Sequence, residues 1–294
     1  MNPRRPSCVT VGAGRAGSAF SRALSTAGYQ FAAIISHDAD DAKILGERVG
    51  AQWGRDWSVV SGTVGFLILA VPDGEIRSAL DDALASGSVG SDTIVAHLSG
   101  ALGSDVLESF RHKGGAAMAF HPAQTILPDC DPATVFDNVV FDMEGDARAC
   151  ALGRRMARDL GGEAVEMTPD TRVIVHAALT VASNFSVAVN RLAERIIAAT
   201  GISPETARRI LPPIILSTGA NIAKHGALPS LTGPVSRGDA DIVARHIEAL
   251  AGYGGGMVDV YRMLATFTLA VAREKGALTP AQESALRREI ESGK

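Results

Sequence analysis

Seven short apolar runs punctuate the first half of the chain, at residues 8–11, 31–35, 66–71, 93–98, 116–120, 139–141 and 164–167, with stretches of helical length between them. Strands that alternate with helices pair in parallel, because a parallel neighbour needs a crossover connection, and the pattern predicts a mainly parallel, doubly wound α/β sheet over residues 1–167. After Met167 the runs stop and helix punctuation takes over. Thr168-Pro169 caps a helix that should extend to Thr200 before Gly201, and Ser203-Pro204 opens another. Pro212-Pro213 should kink or break that second helix, and Gly226 should end its continuation. A loop over 227–238 follows, then Asp239 as a cap, a glycine break at 252–256, and a capping box at Thr279–Gln282 for the last helix. Residues 168–294 therefore form an all-α C-terminal domain.

The most apolar stretch, 173–189, is interrupted by His176, Ser183 and Asn184, short of the roughly 18 uninterrupted apolar residues that suggest a membrane span. It reads as a buried helix of a soluble protein, and no membrane association is expected. Arg172, His176, Thr180 and Asn184 recur along it at every fourth position, a polar seam that either bonds to neighbouring helices or lines a wet cleft.

At 294 residues the chain has room for two domains, and 20% charged against 46% hydrophobic residues fits packed globular structure. A net charge of -4 offers nothing to a polyanion, so no nucleic-acid partner is expected. Cys8, Cys130 and Cys150 are odd in number and widely spaced, which suggests neither disulfides nor a metal site and fits a reducing cytoplasm. The N-terminus runs into the first strand without the apolar core of a signal peptide.

Chemistry enters directly after the first strand with Gly12-Ala13-Gly14-Arg15-Ala16-Gly17. In a strand–turn–helix context this spacing is the dinucleotide fingerprint: Gly12 for the tight turn, Gly14 for close approach of the backbone to a pyrophosphate, Gly17 for helix–strand packing. The tip of the second strand carries Ser36-His37 where an NAD-preferring domain has an acid, so room remains for a 2′-phosphate and NADP(H) is preferred to NAD(H). Were the strand two residues longer, Asp38 would be that acid and the preference would reverse. Val71-Pro72 ends the third run, as a cofactor contact or simply a stiff turn. Ser99 and His121 end the next two, placing a hydroxyl and an imidazole at the edge where open sheets bind ligands. His121 there is either a proton donor and acceptor or a structural residue beside Pro122. Arg237 pairs with a carboxylate substrate or, as a brace, with Asp239 or Asp241.

Together these motifs resemble the Rossmann-like proteins with a C-terminal DUF2520 domain, described as ketopantoate-reductase-like or pyrroline-carboxylate-reductase-like. The likeness spans nearly the whole chain: the glycine motif, Ala70-Val71-Pro72-Asp73, the segment from His97 to Leu102, Phe120-His121-Pro122, His176 with Ala182-Ser183-Asn184, and Leu231-Thr232-Gly233-Pro234 with Arg237-Gly238-Asp239. Where that family reads Tyr-His, this chain has Val175-His176. A more distant resemblance, to prephenate dehydrogenases, implies His121 as acid/base with Ser99 as its orienting partner, and His176 and Asn184 contributing from the helical domain. The resemblance implies an NADP(H)-dependent oxidoreductase acting on the C=O or C=N of a small carboxylate-bearing molecule, ketopantoate being the best single guess. No lysine opens the seam where known ketopantoate reductases place one. The competing function is a non-catalytic NADP(H)-binding sensor or scaffold. The apolar second domain further predicts a homodimer through its helices.

Overall fold

The computed structural model describes residues 5–254 and 256–292. Met1 to Arg4, where the signal-peptide question begins, and Gly255, within the glycine break at 252–256, lie outside the described residues.

Eight strands form one sheet: β1 (Ser7–Val11), β2 (Gln30–Ile35), β3 (Gln52–Gly54), β4 (Phe66–Leu69), β5 (Ile94–His97), β6 (Ala116–Pro122), β7 (Val140–Gly145) and β8 (Glu163–Glu166). Their order is β3-β2-β1-β4-β5-β6-β7-β8, parallel throughout except where β7 runs against β6. The chain leaves β1 towards one edge and returns at β4 towards the other, so β1 and β4 flank the switch point where open α/β sheets bind ligands. Helices α1 (Arg15–Thr26), α2 (Ala39–Val49), α3 (Ile76–Ala85), α4 (Glu108–Arg111) and α5 (Ala147–Asp159) connect the strands. Two apolar clusters result, one including Phe20, Phe120, Phe136 and Phe141, the other Leu67, Leu80, Val95 and Phe110. The rings of Phe120 and Phe141 stack with centroids 4.8 Å apart. β3 was not among the expected strands; at three residues with Gln52 and Trp53 exposed, it is too short and too wet to give an apolar run.

Beyond β8 the chain is helical: α6 (Pro169–Thr180), a π-helical turn (Val181–Phe185), α7 (Ser186–Ala199), α8 (Pro204–His225), α9 (Ala227–Ser230), α10 (Pro234–Arg237), α11 (Ala240–Ala251), α12 (Met257–Glu274) and α13 (Pro280–Glu291). The change of secondary structure falls at 167/168, but the chain divides into compact units at Met1–Ser183 and Asn184–Lys294. α6 thus belongs to the sheet's unit, because Arg172 is buried in it.

Within the second unit, Val243, Ile247, Leu269, Ala272, Leu286 and Ile290 from α11, α12 and α13 make the core. The capping box is formed, with Thr279 and Gln282 each bonding the other's backbone. Three expectations need correction. α8 runs through Pro212 and Pro213 without a break, since a long helix can forgo two N–H donors when its other turns remain bonded. The segment 227–238 is not all loop but carries the one-turn helices α9 and α10. Most consequentially, the apolar helix over 173–189 is not buried within the chain: α7 has no buried residue, and Val187 is 70% exposed. The continuous helix Pro169–Ala199 is in fact long and apolar enough to cross a membrane by length and composition.

Candidate active site

The glycine motif performs three different tasks. Gly12 sits at φ +100°, and a side chain there would collide with the carbonyl of Ala70, the residue after β4. Gly17 is buried, and a Cβ on it would strike the carbonyl of Gly12 and crowd Ala70 Cβ at 2.9 Å. Gly14 is the N-cap of α1 and has open space where a Cβ would be, leaving the helix's unpaired N–H groups accessible. Gly12, Ala13 and Gly14 line a cavity of about 750 Å³ with Ser36, His37, Val71 and Pro72. A cleft of this size, walled by backbone that a Cβ would fill, fits a dinucleotide.

β2 ends at Ile35, so Ser36 and His37 do follow the strand tip. Asp38 is instead the N-cap of α2: its carboxylate accepts from the backbone N–H of Asp40 at 2.9 Å and of Asp41 at 3.1 Å. Both bonds fall on Oδ1, so this carboxylate serves as the cap of α2 rather than as the last residue of a longer β2. β3 delivers Arg55, Asp56 and Ser58 to the same cavity, a set the sequence pattern missed because β3 itself leaves no apolar signal.

A second cavity, of about 430 Å³, opens at the carboxyl ends of β5 and β6. Arg15 and Ala16 of the glycine motif line it with Ser99, His121 and His176. His121 and Asp142 are direct partners in the antiparallel β6–β7 register, and His121 Nδ1 lies 2.7 Å from Asp142 Oδ2. The other carboxylate oxygen accepts from Arg172 Nε at 2.7 Å. Burial would raise the Asp142 pKa, but the hydrogen bonds and charges of His121 and Arg172 outweigh it and hold the carboxyl below its ordinary value. Arg172 is fully buried, and its remaining nitrogens donate to the carbonyls of Ser99, at 2.8 Å, and Leu102. The seam residue expected to face a cleft or a helix is therefore a clamp on the sheet edge.

The loop after β5 is held from its other side by His97. The Ser99 N–H donates to His97 Nδ1 at 3.2 Å, and His97 Nε2 donates to the Gly103 carbonyl at 3.1 Å. Both bonds require the neutral ring, and burial pushes His97 down to about 4. Ser99 Oγ accepts from the N–H of Ala101 and Leu102 at 3.2 and 3.1 Å, so its own proton is left for a ligand.

His176 meets His121 edge to face, with ring centroids 5.5 Å apart, and its Nδ1 is buried without a hydrogen-bond partner. Further along the seam, Thr180 turns back to the His176 carbonyl and Ser183 bonds Thr125 at 3.0 Å. Asn184 belongs to the second unit, where it is exposed. Also in that unit, Arg237 Nε braces Asp239 at 2.8 Å, and that carboxylate makes no capping bond to α11. Among the described residues, no group of three His, Cys, Asp or Glu side chains is disposed to hold a metal ion.

A mainly parallel sheet with a glycine-rich turn at its switch point, followed by an all-helical unit, defines a Rossmann-like protein with a helical C-terminal portion. The Rossmann-like family model matches residues 1–122, and the model of the domain of unknown function DUF2520 matches residues 139–268. The chain thus combines a Rossmann-like domain with a C-terminal DUF2520 domain. Protein TM1727 from Thermotoga maritima is 26% identical, with a TM-score of 0.74 over 90% of this chain and 99% of its own. An imine reductase from Myxococcus stipitatus in complex with NADP+ is 16% identical (TM-score 0.63, 96% of this chain and 100% of its own). A pyrroline-5-carboxylate reductase from Coxiella burnetii is 14% identical (TM-score 0.58, 92% and 99%). Likenesses as distant as the last two speak for the fold. No curated protein matches the chain.

Proposed function

We propose that this chain is an NADP(H)-dependent reductase or dehydrogenase acting on the C=O or C=N bond of a small, carboxylate-bearing molecule. One observation carries the reading: the cavity that holds Ser99, His121 and His176 is walled on another side by Arg15 and Ala16 of the glycine motif. The glycine motif thus borders both the cavity of the proton donor and the cavity that fits a dinucleotide. When bound, the reduced nicotinamide supplies a hydride to the substrate carbon. His121, with Nδ1 engaged by Asp142, uses Nε2 to give a proton to the oxygen or nitrogen as that bond is reduced, and takes it back in the reverse direction. The Ser99 hydroxyl orients the reacting group, and His176, set edge-on to His121, closes the same cavity. Arg172 is sealed and unavailable, which leaves Arg15 as the cation lining this cavity.

NADP(H) rather than NAD(H) is supported by Ser36, His37 and Arg55 around the first cavity and by the engagement of Asp38 as a helix cap. Ketopantoate is the first carbonyl substrate to try. The likeness to an imine reductase and a pyrroline-5-carboxylate reductase makes a cyclic imine the next. We assign the protein to the cytoplasm, consistent with three free cysteines, and to a homodimer through its helical part, with no nucleic-acid or membrane partner.

Fluorescence titration with NADPH and NADH, followed by a panel of 2-oxo acids and imines, tests the assignment. NADPH should bind the tighter, Arg55→Ala should weaken NADPH about tenfold and leave NADH unchanged, and His121→Ala should abolish turnover while keeping cofactor affinity. Binding without turnover across the panel would replace the enzyme by a cofactor sensor; no binding of either dinucleotide would overturn the reading altogether.

A further inference from the structure

We infer that Asp142 is the positioning residue that sets the tautomer of His121, and that Arg172 is what dictates which way Asp142 must act. The inference rests on His121 being the acid/base. Strand register supplies the first step: in the antiparallel β6–β7 pair, His121 and Asp142 are direct Cα partners. Each oxygen of the Asp142 carboxylate then serves one partner at 2.7 Å, Oδ2 facing His121 Nδ1 and Oδ1 facing Arg172 Nε. A carboxylate can only accept here, so Nδ1 carries a hydrogen and Nε2 is left to exchange the working proton.

Arg172 makes the arrangement one-way. A guanidinium can only donate, and this one is fully buried with its other nitrogens on the carbonyls of Ser99 and Leu102, so it cannot swing aside. Any group at position 142 must present an acceptor to it. In Asp142→Asn the amide oxygen is therefore committed to Arg172 and the NH2 is turned towards His121. Nδ1 must then accept, and the neutral ring carries its hydrogen on Nε2, the wrong nitrogen for a base. The same guanidinium ties the Ser99 carbonyl, so a single side chain couples the aim of His121 to the loop that carries its hydroxyl partner. Stability alone is a weak reason for such a pair, since a buried ion pair roughly breaks even against apolar residues of the same volume.

The test is 15N NMR of the full-length chain labelled at histidine, with His121 assigned by the signal missing in His121→Gln. Wild type should show a pyrrole-like Nδ1 for neutral His121; Asp142→Asn should show a pyridine-like Nδ1. A wild-type ring protonated on Nε2 overturns the inference without any variant having to fold, and so does an unchanged tautomer in a folded Asp142→Asn. Kinetics provide the second readout: kcat should fall by about 10²–10⁴-fold, the range of a lost general acid/base, with KM within a few-fold. Loss confined to KM would also overturn it. Because the spectrum needs no substrate, turnover that survives in His121→Ala would remove the acid/base role while leaving the tautomer result standing.

Discussion

Gly100 lies directly beneath His176: a Cβ at position 100 would collide with His176 Nδ1 and sit 2.9 Å from Cε1 of His121. Both imidazoles thus occupy space that only a glycine leaves, although nothing requires a left-handed backbone there. Gly100→Ala should displace the two rings without disturbing the glycine motif on β1. Turnover should fall about 10- to 100-fold, as misplacement of reacting groups by an ångström does, while the NADPH dissociation constant stays within about twofold of wild type. Steady-state kinetics beside a fluorescence titration decide it; a variant with normal kcat would show that the packing of His176 on His121 is not part of the chemistry.

His97 sets an acid limit on the fold. Its ring is neutral in the native state, and burial lowers its pKa to about 4 from an ordinary 6.5. Below 6.5 the unfolded chain takes up a proton that the folded chain refuses, so this contribution to stability is complete above 6.5 and is lost as pH falls towards 4. Between pH 6.5 and about pH 5 the loss amounts to about 2 kcal/mol. Urea unfolding at the two pH values should show it in wild type. His97→Gln, which can offer one donor and one acceptor to Gly103 and Ser99 but does not titrate, should lack this component. An equal pH dependence in both proteins would place the acid sensitivity elsewhere.

What the sequence made legible follows from how local each signal is. The tasks of Gly12, Gly14 and Gly17 are imposed within six residues: the turn at Gly12 and the close packing at Gly17 appear in the structure, and Gly14 stands at the uncovered start of α1. The strand ends that bring Ser99 and His121 to one edge were likewise readable, because each follows its own apolar run. Asp142 was not, since its meaning depends on the register of β7 against β6, 21 residues away in sequence, and Arg55 was lost with the short, exposed β3. Arg172 was visible as a polar residue on an apolar helix, but helical periodicity cannot say which neighbour a side chain enters. The same limit explains the mistaken burial of residues 173–189: apolar periodicity announces surface that needs covering, not the molecule that covers it.

That uncovered surface yields the last prediction. In the second unit α7 and α8 pack on one another yet leave Val187, Ile214 and Leu216, with Phe185 just before α7, at 70, 64, 72 and 56% exposure. A patch of that kind is costly in water, and a second copy of the chain can cover it symmetrically. A lipid bilayer fits less well, because α7 also carries Arg191, Glu194 and Arg195 within its 14 residues. Sedimentation equilibrium should therefore find a dimer without detergent. Leu216→Glu introduces two like charges into a self-complementary interface, one from each copy, and each would be buried unpaired. The variant should sediment as a monomer at micromolar concentration and still bind NADPH, whose cavity is formed by the first unit alone. A wild-type monomer, or a dimer indifferent to a charge at position 216, would show that this face meets something other than a second copy.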